Sequence, residues 1–332
     1  MNTLHVNIGL ARYSDWAFTS AVVALVVALL LLAFELAYVG GRRADRRARV
    51  LAGSVAADSA IPGIVEDPDQ RPFDERVGRA GLAVVYLGIG LLLGCIVLRG
   101  LATLRVPWGN MYEFINLTCF CGLVAGAFVL RRPQYRPLWV FLLVPVLILL
   151  TVSGRWLYTN AAPVMPALQS YWLPIHVSVV SLGSGVFMVA GIASILFLLR
   201  TSRLGDPQNE RAEQRVGGAL GLIVQRLPDA QTLDRVAYRT TIFAFPVFGF
   251  GVIFGAIWAE EAWGRYWGWD PKETVSFVAW VVYAAYLHAR STAGWRDRKA
   301  AWINVAGFVA MVFNLFFVNL VTVGLHSYAG VG

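Results

Sequence analysis

The sequence predicts an all-α protein that crosses a membrane about eight times. Of its 332 residues, 58% are hydrophobic and 14% are charged, whereas about a quarter of the residues in soluble domains are charged. The apolar residues gather in long runs, most of them close to the about 20 residues that a membrane helix needs. Polar segments that carry most of the Arg and Lys separate these runs. Together these observations indicate a polytopic membrane protein rather than a soluble globule.

We predict the membrane helices from the limits of the apolar runs. They lie at about residues 17–39, 80–98, 114–130, 138–152, 175–199, 241–258, 271–288 and 301–323. The chain then divides into a tail with the first membrane helix (1–39), a cytoplasmic linker rich in Pro and acidic residues (40–78) and a main membrane domain (79–332).

The basic residues determine the predicted orientation. On this assignment all but six of the 28 Lys and Arg residues lie on one side, which the positive-inside rule makes the cytoplasmic side. Both termini are then outside. The six external residues are Arg12, Arg99, Arg105, Arg155, Arg265 and Lys272. A net charge of +8 that is distributed in this way disfavours nucleic acid as a partner.

The three cysteines, Cys95, Cys119 and Cys121, lie inside apolar runs, and none forms a CxxC pair. The spacing therefore argues against a thiol–disulfide centre or a zinc site. Small buried hydrophobes are the simpler interpretation.

Residues 263–273 form an aromatic stretch in a predicted external loop. Three indoles, Trp263, Trp267 and Trp269, alternate there with glycines and charged residues. Tryptophan favours membrane interfaces, which explains one or two of these residues. Three within seven residues favour an aromatic surface for a flat ligand, and porphyrin is the obvious flat ligand of a membrane protein. Asp270 has a second interpretation as the N-cap of the next helix, with Glu273 as its capping-box partner.

Two histidines from distant parts of the chain are predicted at the same outer face. His176 follows Pro174 at the start of a helix, where the helix dipole favours a neutral imidazole, and His326 follows the last helix. Neutral imidazole binds haem iron, and the pair could supply one ligand above and one below a porphyrin plane. An interfacial histidine and a mobile tail residue are the structural alternatives.

The remaining candidates are more ambiguous. His288 is predicted near the cytoplasmic end of its helix, either as a ligand of a second iron site, for which this chain has no other histidine at that depth, or as a residue that interacts with the helix C-terminus. Arg155 and Arg265 are external cations that could pair with haem propionates, or else anchor the chain at the interface. His5 receives no role.

These residues resemble a known family. The aromatic stretch resembles the WWD signature, WGxxWxWDxKE, of the haem-handling proteins of cytochrome c maturation; we name residues 258–273 the WWD segment. His176 and His326 look like the family's two external histidines, and His288 looks like its membrane histidine. Residues 107–113 are similar to its Pro-x-x-Asn-x-Tyr-Glu element. The resemblance is closest to the CcsA/ResC family of system II (some actinobacterial members are labelled CcsB) and covers about residues 79–332.

The resemblance implies a function. Such proteins reside in the cytoplasmic membrane, take haem b from the cytoplasmic side, export it and position it at the external WWD surface between two histidines. Apocytochrome c then presents its CxxCH thiols to the haem vinyl groups, which gives haem lyase (holocytochrome c synthase) activity. A ResB-type membrane protein is the expected partner and would bring the iron ligand opposite His288, while thiol-reducing proteins are further candidate partners. This chemistry needs positioning rather than a protein nucleophile, so no catalytic residue is assigned beyond haem positioning.

Three alternatives stay open at this point. A carrier of the CcmC type would deliver haem without lyase activity, and such carriers are expected to be shorter. A membrane cytochrome b subunit would need histidine pairs at similar depth on facing helices. A transporter of another small molecule would leave the paired external histidines unexplained.

Overall fold

The computed structural model confirms the all-helical architecture. It describes residues 6–55, 72–164, 168–202 and 218–318, together with Thr322, Gly324 and Leu325. Within these residues the elements in chain order are α1 (Ile8–Val55), α2 (Phe73–Thr103), α3 (Met111–Val129), α4 (Leu138–Trp156), α5 (Trp172–Arg200), α6 (Gly218–Arg226), α7 (Ala230–Trp263), α8 (Pro271–Ser291) and α9 (Arg298–Phe313). A short 3₁₀ turn (Pro133–Tyr135) precedes α4, and a π-helical turn (Asn314–Val318) continues α9.

Seven of these helices are long and apolar enough to cross a membrane, so the chain is a multi-pass membrane protein. They are α1 over Ile8–Tyr38, α2, α3, α4, α5, α7, and α9 with its π turn. The predicted eighth span corresponds to α8, which has 21 residues. Its length suffices at 1.5 Å per residue, but Lys272, Glu273 and Arg290 lower its hydropathy. The membrane crossing of α8 is therefore still a prediction. The same is true of the orientation of the two termini.

Several helices extend beyond the predicted apolar runs. α1 continues as helix through Val55, and α2 already begins at Phe73. Residues 56–71, the centre of the predicted linker, lie outside the described residues. α7 begins eleven residues before the predicted limit, at the Asp229 N-cap, whose carboxylate accepts from the Thr232 N–H at 2.9 Å. Apolar runs mark the part of a helix in lipid, whereas caps mark where the helix ends.

Glycines allow α5 to pack closely against its neighbours. A Cβ on Gly185 would lie 2.5 Å from the Gly122 nitrogen of α3, and one on Gly183 would lie 2.9 Å from the Phe248 Cα of α7. Close backbone approach through small residues is typical of membrane helix interfaces. α5 therefore forms the centre of the bundle, in contact with α3, α7 and α9, while α1 packs along α2 at one side.

Candidate functional site

The WWD segment closes one end of a cavity of about 300 Å³ between α3, α4, α5, α7, α8 and α9. Its volume falls at the lower limit of ligand pockets, which measure about 300–1,000 Å³. Most of the lining is apolar. Its polar and aromatic lining residues include Phe114, His176, Trp258, Tyr266, Trp267 and Lys272.

His176 lines this cavity and is held by α7. Its Nδ1 lies 2.8 Å from the Gly251 carbonyl oxygen, and its ring is nearly parallel to the Trp258 indole, at 6.0 Å and 13°. The carbonyl can only accept, so Nδ1 carries the proton and the lone pair of the neutral ring is on Nε2. A backbone carbonyl that fixes one ring nitrogen in this way is the usual support of a metal-binding histidine.

Gly255 provides the space for the His176 ring. A Cβ at this position would lie 2.6 Å from His176 Cε1 and 2.8 Å from Nδ1. α5 begins at Trp172, three residues earlier than predicted, so His176 is in the second turn rather than the first. Gly255 and Trp258 are hidden in the sequence because both lie inside an apolar run. Their signal is a spacing of four and seven residues from Gly251, which places all three on one helix face.

The WWD segment folds as a helix end, a turn and a helix start. α7 ends at Gly264 with φ +68°, and the Glu273 carboxylate accepts from the N–H groups of Gly268 and Asp270 at 2.9 and 3.2 Å. The predicted capping box of Asp270 and Glu273 is confirmed. Trp269 has φ +59°. A left-handed conformation at a bulky residue stores strain on the order of 1–3 kcal/mol, and such residues cluster at functional sites.

The three indoles do not form the single flat surface expected from the sequence. Trp263 packs edge-on against Trp258 at 4.8 Å, Trp267 lines the cavity, and Trp269 is 69% exposed and perpendicular to Trp267 at 89°. The reason is that a helix end and a tight turn separate the three side chains. Trp258 and Trp267 are therefore the indoles that a cavity ligand would meet.

The cation at the cavity is Lys272, not either of the predicted arginines. Its ammonium lies 5.3 Å from the centre of the Phe114 ring. Lys272 lies outside the seven candidate spans. Burial lowers the pKa of its ammonium to about 8, although the nearby Asp270 carboxylate raises this pKa. Arg155 is exposed in the last turn of α4, and the Arg265 guanidinium lies over Gly268; neither lines the cavity.

The described end of the chain reaches the WWD segment. The Leu325 N–H donates to the Asp270 carboxylate at 2.8 Å, and a Cβ on Gly324 would lie 2.6 Å from the same oxygen. Asp270 thus caps α8 and holds the chain that follows α9. His326 lies outside the described residues, so its predicted role as an iron ligand is carried forward as a proposal.

His288 lies far from the cavity. It is exposed in the last turns of α8, roughly 22 Å from Glu273 at 1.5 Å per residue. Its carbonyl accepts from the hydroxyls of Ser291 and Thr292. Within the described part of the chain no group of three His, Cys, Asp or Glu side chains could hold a metal ion.

A buried ion network connects α2 to the start of α3. Glu113, at the end of the Pro-x-x-Asn-x-Tyr-Glu element, accepts from Arg99 Nε at 3.2 Å, Arg105 Nη1 at 2.9 Å and the Gly109 N–H at 2.8 Å. Asn110 caps α3 by accepting from the Glu113 N–H. This network joins α2 to the start of α3 and so fixes Phe114, which lines the cavity.

This chain is similar to known proteins over most of its length. The family model "Cytochrome C assembly protein" matches residues 108–326. "Cytochrome c biogenesis protein CcsA" of Thermosynechococcus vestitus is 36% identical over 287 residues, which cover 78% of this chain and 89% of the relative. The CcsA of Gloeobacter violaceus is 33% identical over 298 residues, which cover 77% and 87%.

A solved structure shares the fold. "Cytochrome c Heme Lyase CcmF" aligns with a TM-score of 0.60 at 16% identity, over 92% of this chain and 46% of that protein. This chain thus spans about half the length of that structure. At this identity the likeness concerns the fold alone.

Proposed function

Because this chain belongs to the cytochrome c assembly protein family and is a CcsA-type cytochrome c biogenesis protein, we propose that it exports haem and holds it at the WWD segment for covalent attachment to apocytochrome c. In this proposal haem is the cargo. The WWD segment faces the exterior of the cytoplasmic membrane, and the chain acts as the membrane subunit of a system II cytochrome c synthase.

The observation that carries the proposal is the position of His176. The Gly251 carbonyl fixes its tautomer with the lone pair on Nε2, in a cavity lined by Trp258, Trp267 and Lys272. An imidazole for iron, indoles for the macrocycle and an ammonium for a propionate are the groups that haem requires.

The second external ligand in the proposal is His326. Its support is the hydrogen bond between Asp270 and Leu325, the residue that precedes His326. Because Leu325 is held at Asp270, the next residue, His326, is our candidate for the second iron ligand. Arg155 and Arg265 then serve at the rim, where a propionate or the apocytochrome reaches beyond the cavity.

The residues of this chain contribute positioning rather than bond chemistry. When bound, haem supplies the iron and the vinyl groups that the apocytochrome thiols add to. Lys272 holds a propionate, the indoles restrict the ring plane and His176 fixes the depth of the iron. Orientation of two reactants in this manner supplies much of the advantage that catalysts provide.

His288 belongs to a separate step in the proposal. An exposed imidazole on α8, at the predicted cytoplasmic end, suits an iron ligand whose counterpart comes from a second subunit of the ResB type. A cytochrome b subunit is disfavoured, because the two described histidines lie near opposite ends of the bundle rather than as a pair at one depth.

The visible spectrum of the chain purified with its partner tests the proposal. We expect bound b-type haem that is lost or strongly weakened in His176→Ala, whereas a colourless wild-type protein from haem-replete cells would contradict it. Co-expression with an apocytochrome c, in a host that lacks its own maturation genes, then separates lyase from carrier. Covalent haem on the reporter supports the synthase, and bound haem without a covalent product supports a CcmC-type carrier.

A further inference from the structure

A second cavity, of about 490 Å³, lies between α3, α5 and α7. Its walls are apolar and include Val124, Phe128, Leu182, Val186 and Phe243. Phe128 and Phe243 are 72% and 54% exposed, so this cavity is a cleft that opens sideways from the bundle. We name it the lateral cleft.

Four arginines surround one end of the lateral cleft. Arg131 and Arg132 follow α3, and Arg235 and Arg239 are one helical turn apart on α7. All four are exposed and lie at the end of the bundle that we predict to be cytoplasmic. Residues at i and i+4 of a helix lie on one face, so Arg235 and Arg239 line the cleft together, and Arg131 and Arg132 line the same cleft from the end of α3.

Among the described residues, few acidic groups compensate this positive charge. No Asp or Glu of the described residues lines the lateral cleft, and the ion pairs of this end involve other arginines, with Arg136 bound to Glu35 and Arg290 to Asp234. Asp229, which caps α7, interacts with Arg235 only at longer range. An occupant with an apolar body and acidic groups at one end would complement the cleft.

We propose that the lateral cleft is the loading site for haem, with its propionates held by the two arginine pairs and its macrocycle between Phe128 and Phe243. Arginine forks bind carboxylates in a bidentate manner, and two arginine pairs from different elements match a molecule with two carboxylates better than a lipid with a single phosphate. Aromatic walls likewise suit a planar body better than flexible acyl chains. This inference rests on the proposed function, since it supplies the step that precedes export.

The test compares haem acquired in cells with haem added afterwards. The full chain, co-expressed with its partner in haem-replete cells, is purified as wild type, as Arg235→Ala/Arg239→Ala and as Arg298→Ala, a matched control because Arg298 is exposed at the same predicted face but outside the cleft. We expect the double variant to retain about a tenth or less of the wild-type haem. Hemin added to the detergent-solubilised double variant should still restore the wild-type spectrum, because the WWD cavity is intact. Arg131→Ala/Arg132→Ala should reproduce the result.

Other results would overturn either the loading site or the proposed function, and the two cases can be told apart. A wild-type haem content in both double variants would overturn the loading site. Loss of tightly bound anionic phospholipid with unchanged haem would assign the cleft to lipid and also overturn it. A wild type that binds no haem in either preparation would instead contradict the proposed function itself. His176→Ala, which leaves the lateral cleft intact, should lose the haem of the WWD cavity, and hemin added afterwards should not restore the wild-type spectrum, so this variant separates the two sites.

Discussion

His176 is positioned by neighbours on α7 rather than by a charged partner. The Gly251 carbonyl fixes the ring nitrogen, Trp258 lies parallel to the ring, and Gly255 leaves the space that the ring occupies. Each of these contacts comes from a helix that begins more than fifty residues later in the chain. A change in α7 should therefore alter iron binding without removing the ligand.

Replacement of Gly255 by Ala is expected to weaken haem binding about tenfold or more, because the new methyl group would displace the His176 ring from its place. Haem titration of the purified complex measures the effect. Gly90→Ala is the matched control, since a Cβ there meets nothing within 4 Å. Equal affinities in the two variants would show that the ring position is not critical.

Haem affinity is expected to fall as the pH rises above about 8. Burial lowers the pKa of the Lys272 ammonium to about 8, so this group is charged below that pH and neutral above it. A bound propionate favours the charged form, and the linked loss of affinity is at most about tenfold per pH unit. Lys272→Arg should abolish this dependence because Arg stays charged. An unchanged pH profile in that variant would assign the effect to another group.

At the scale of elements, the end of the bundle that carries the WWD segment depends on short sequence motifs. The cap of α8 could be predicted because Asp270 and Glu273 are three residues apart and their contacts are local. The network of Glu113 could not, since Arg99 and Arg105 reach it from α2 and the loop that follows. The same limit applies to Arg155 and Arg265, the propionate partners predicted from the sequence, which do not line the cavity. A sequence predicts the side of the membrane but not the direction of a side chain.

Glu113→Ala is expected to destabilise the protein by about 3–5 kcal/mol, because it leaves the buried Arg99 without its principal counter-charge. Equilibrium unfolding in detergent or a thermal-shift assay measures the loss. Asp15→Asn provides the comparison, since the Asp15 carboxylate is 34% exposed and 3.6 Å from Arg99; its effect should be much smaller. Similar losses of stability in both variants would show that Glu113 is not the principal counter-charge of Arg99.

At the scale of the whole molecule, the fold class could be predicted almost completely from hydropathy, because a membrane helix must satisfy its backbone hydrogen bonds internally. The limits of α1 and α7 could not, since both helices continue beyond their apolar runs. α8 is the case in which length and hydropathy disagree, and only its place in the bundle, beside α7 and α9, supports a membrane position.

The predicted topology can be tested with single cysteines in a variant that lacks Cys95, Cys119 and Cys121. A cysteine at Trp269 should react with a membrane-impermeant maleimide in intact cells, and one at Arg298 only after permeabilisation, because both positions are exposed but lie at opposite ends of α8. Labelling of both in intact cells would show that α8 does not cross the membrane.

The close contact of Gly122 with Gly185 has a consequence for transport. The WWD cavity uses Val180 and Ser184 of α5, whereas the lateral cleft uses Leu182 and Val186, about half a turn away on the opposite side of that helix. Where α3 and α5 touch at these glycines, backbone atoms therefore separate the WWD cavity from the lateral cleft. In the proposed export, haem would have to move along the lipid-facing surface or wait for α3 and α5 to separate. Such a barrier would allow one of the two cavities to bind haem while the other is closed.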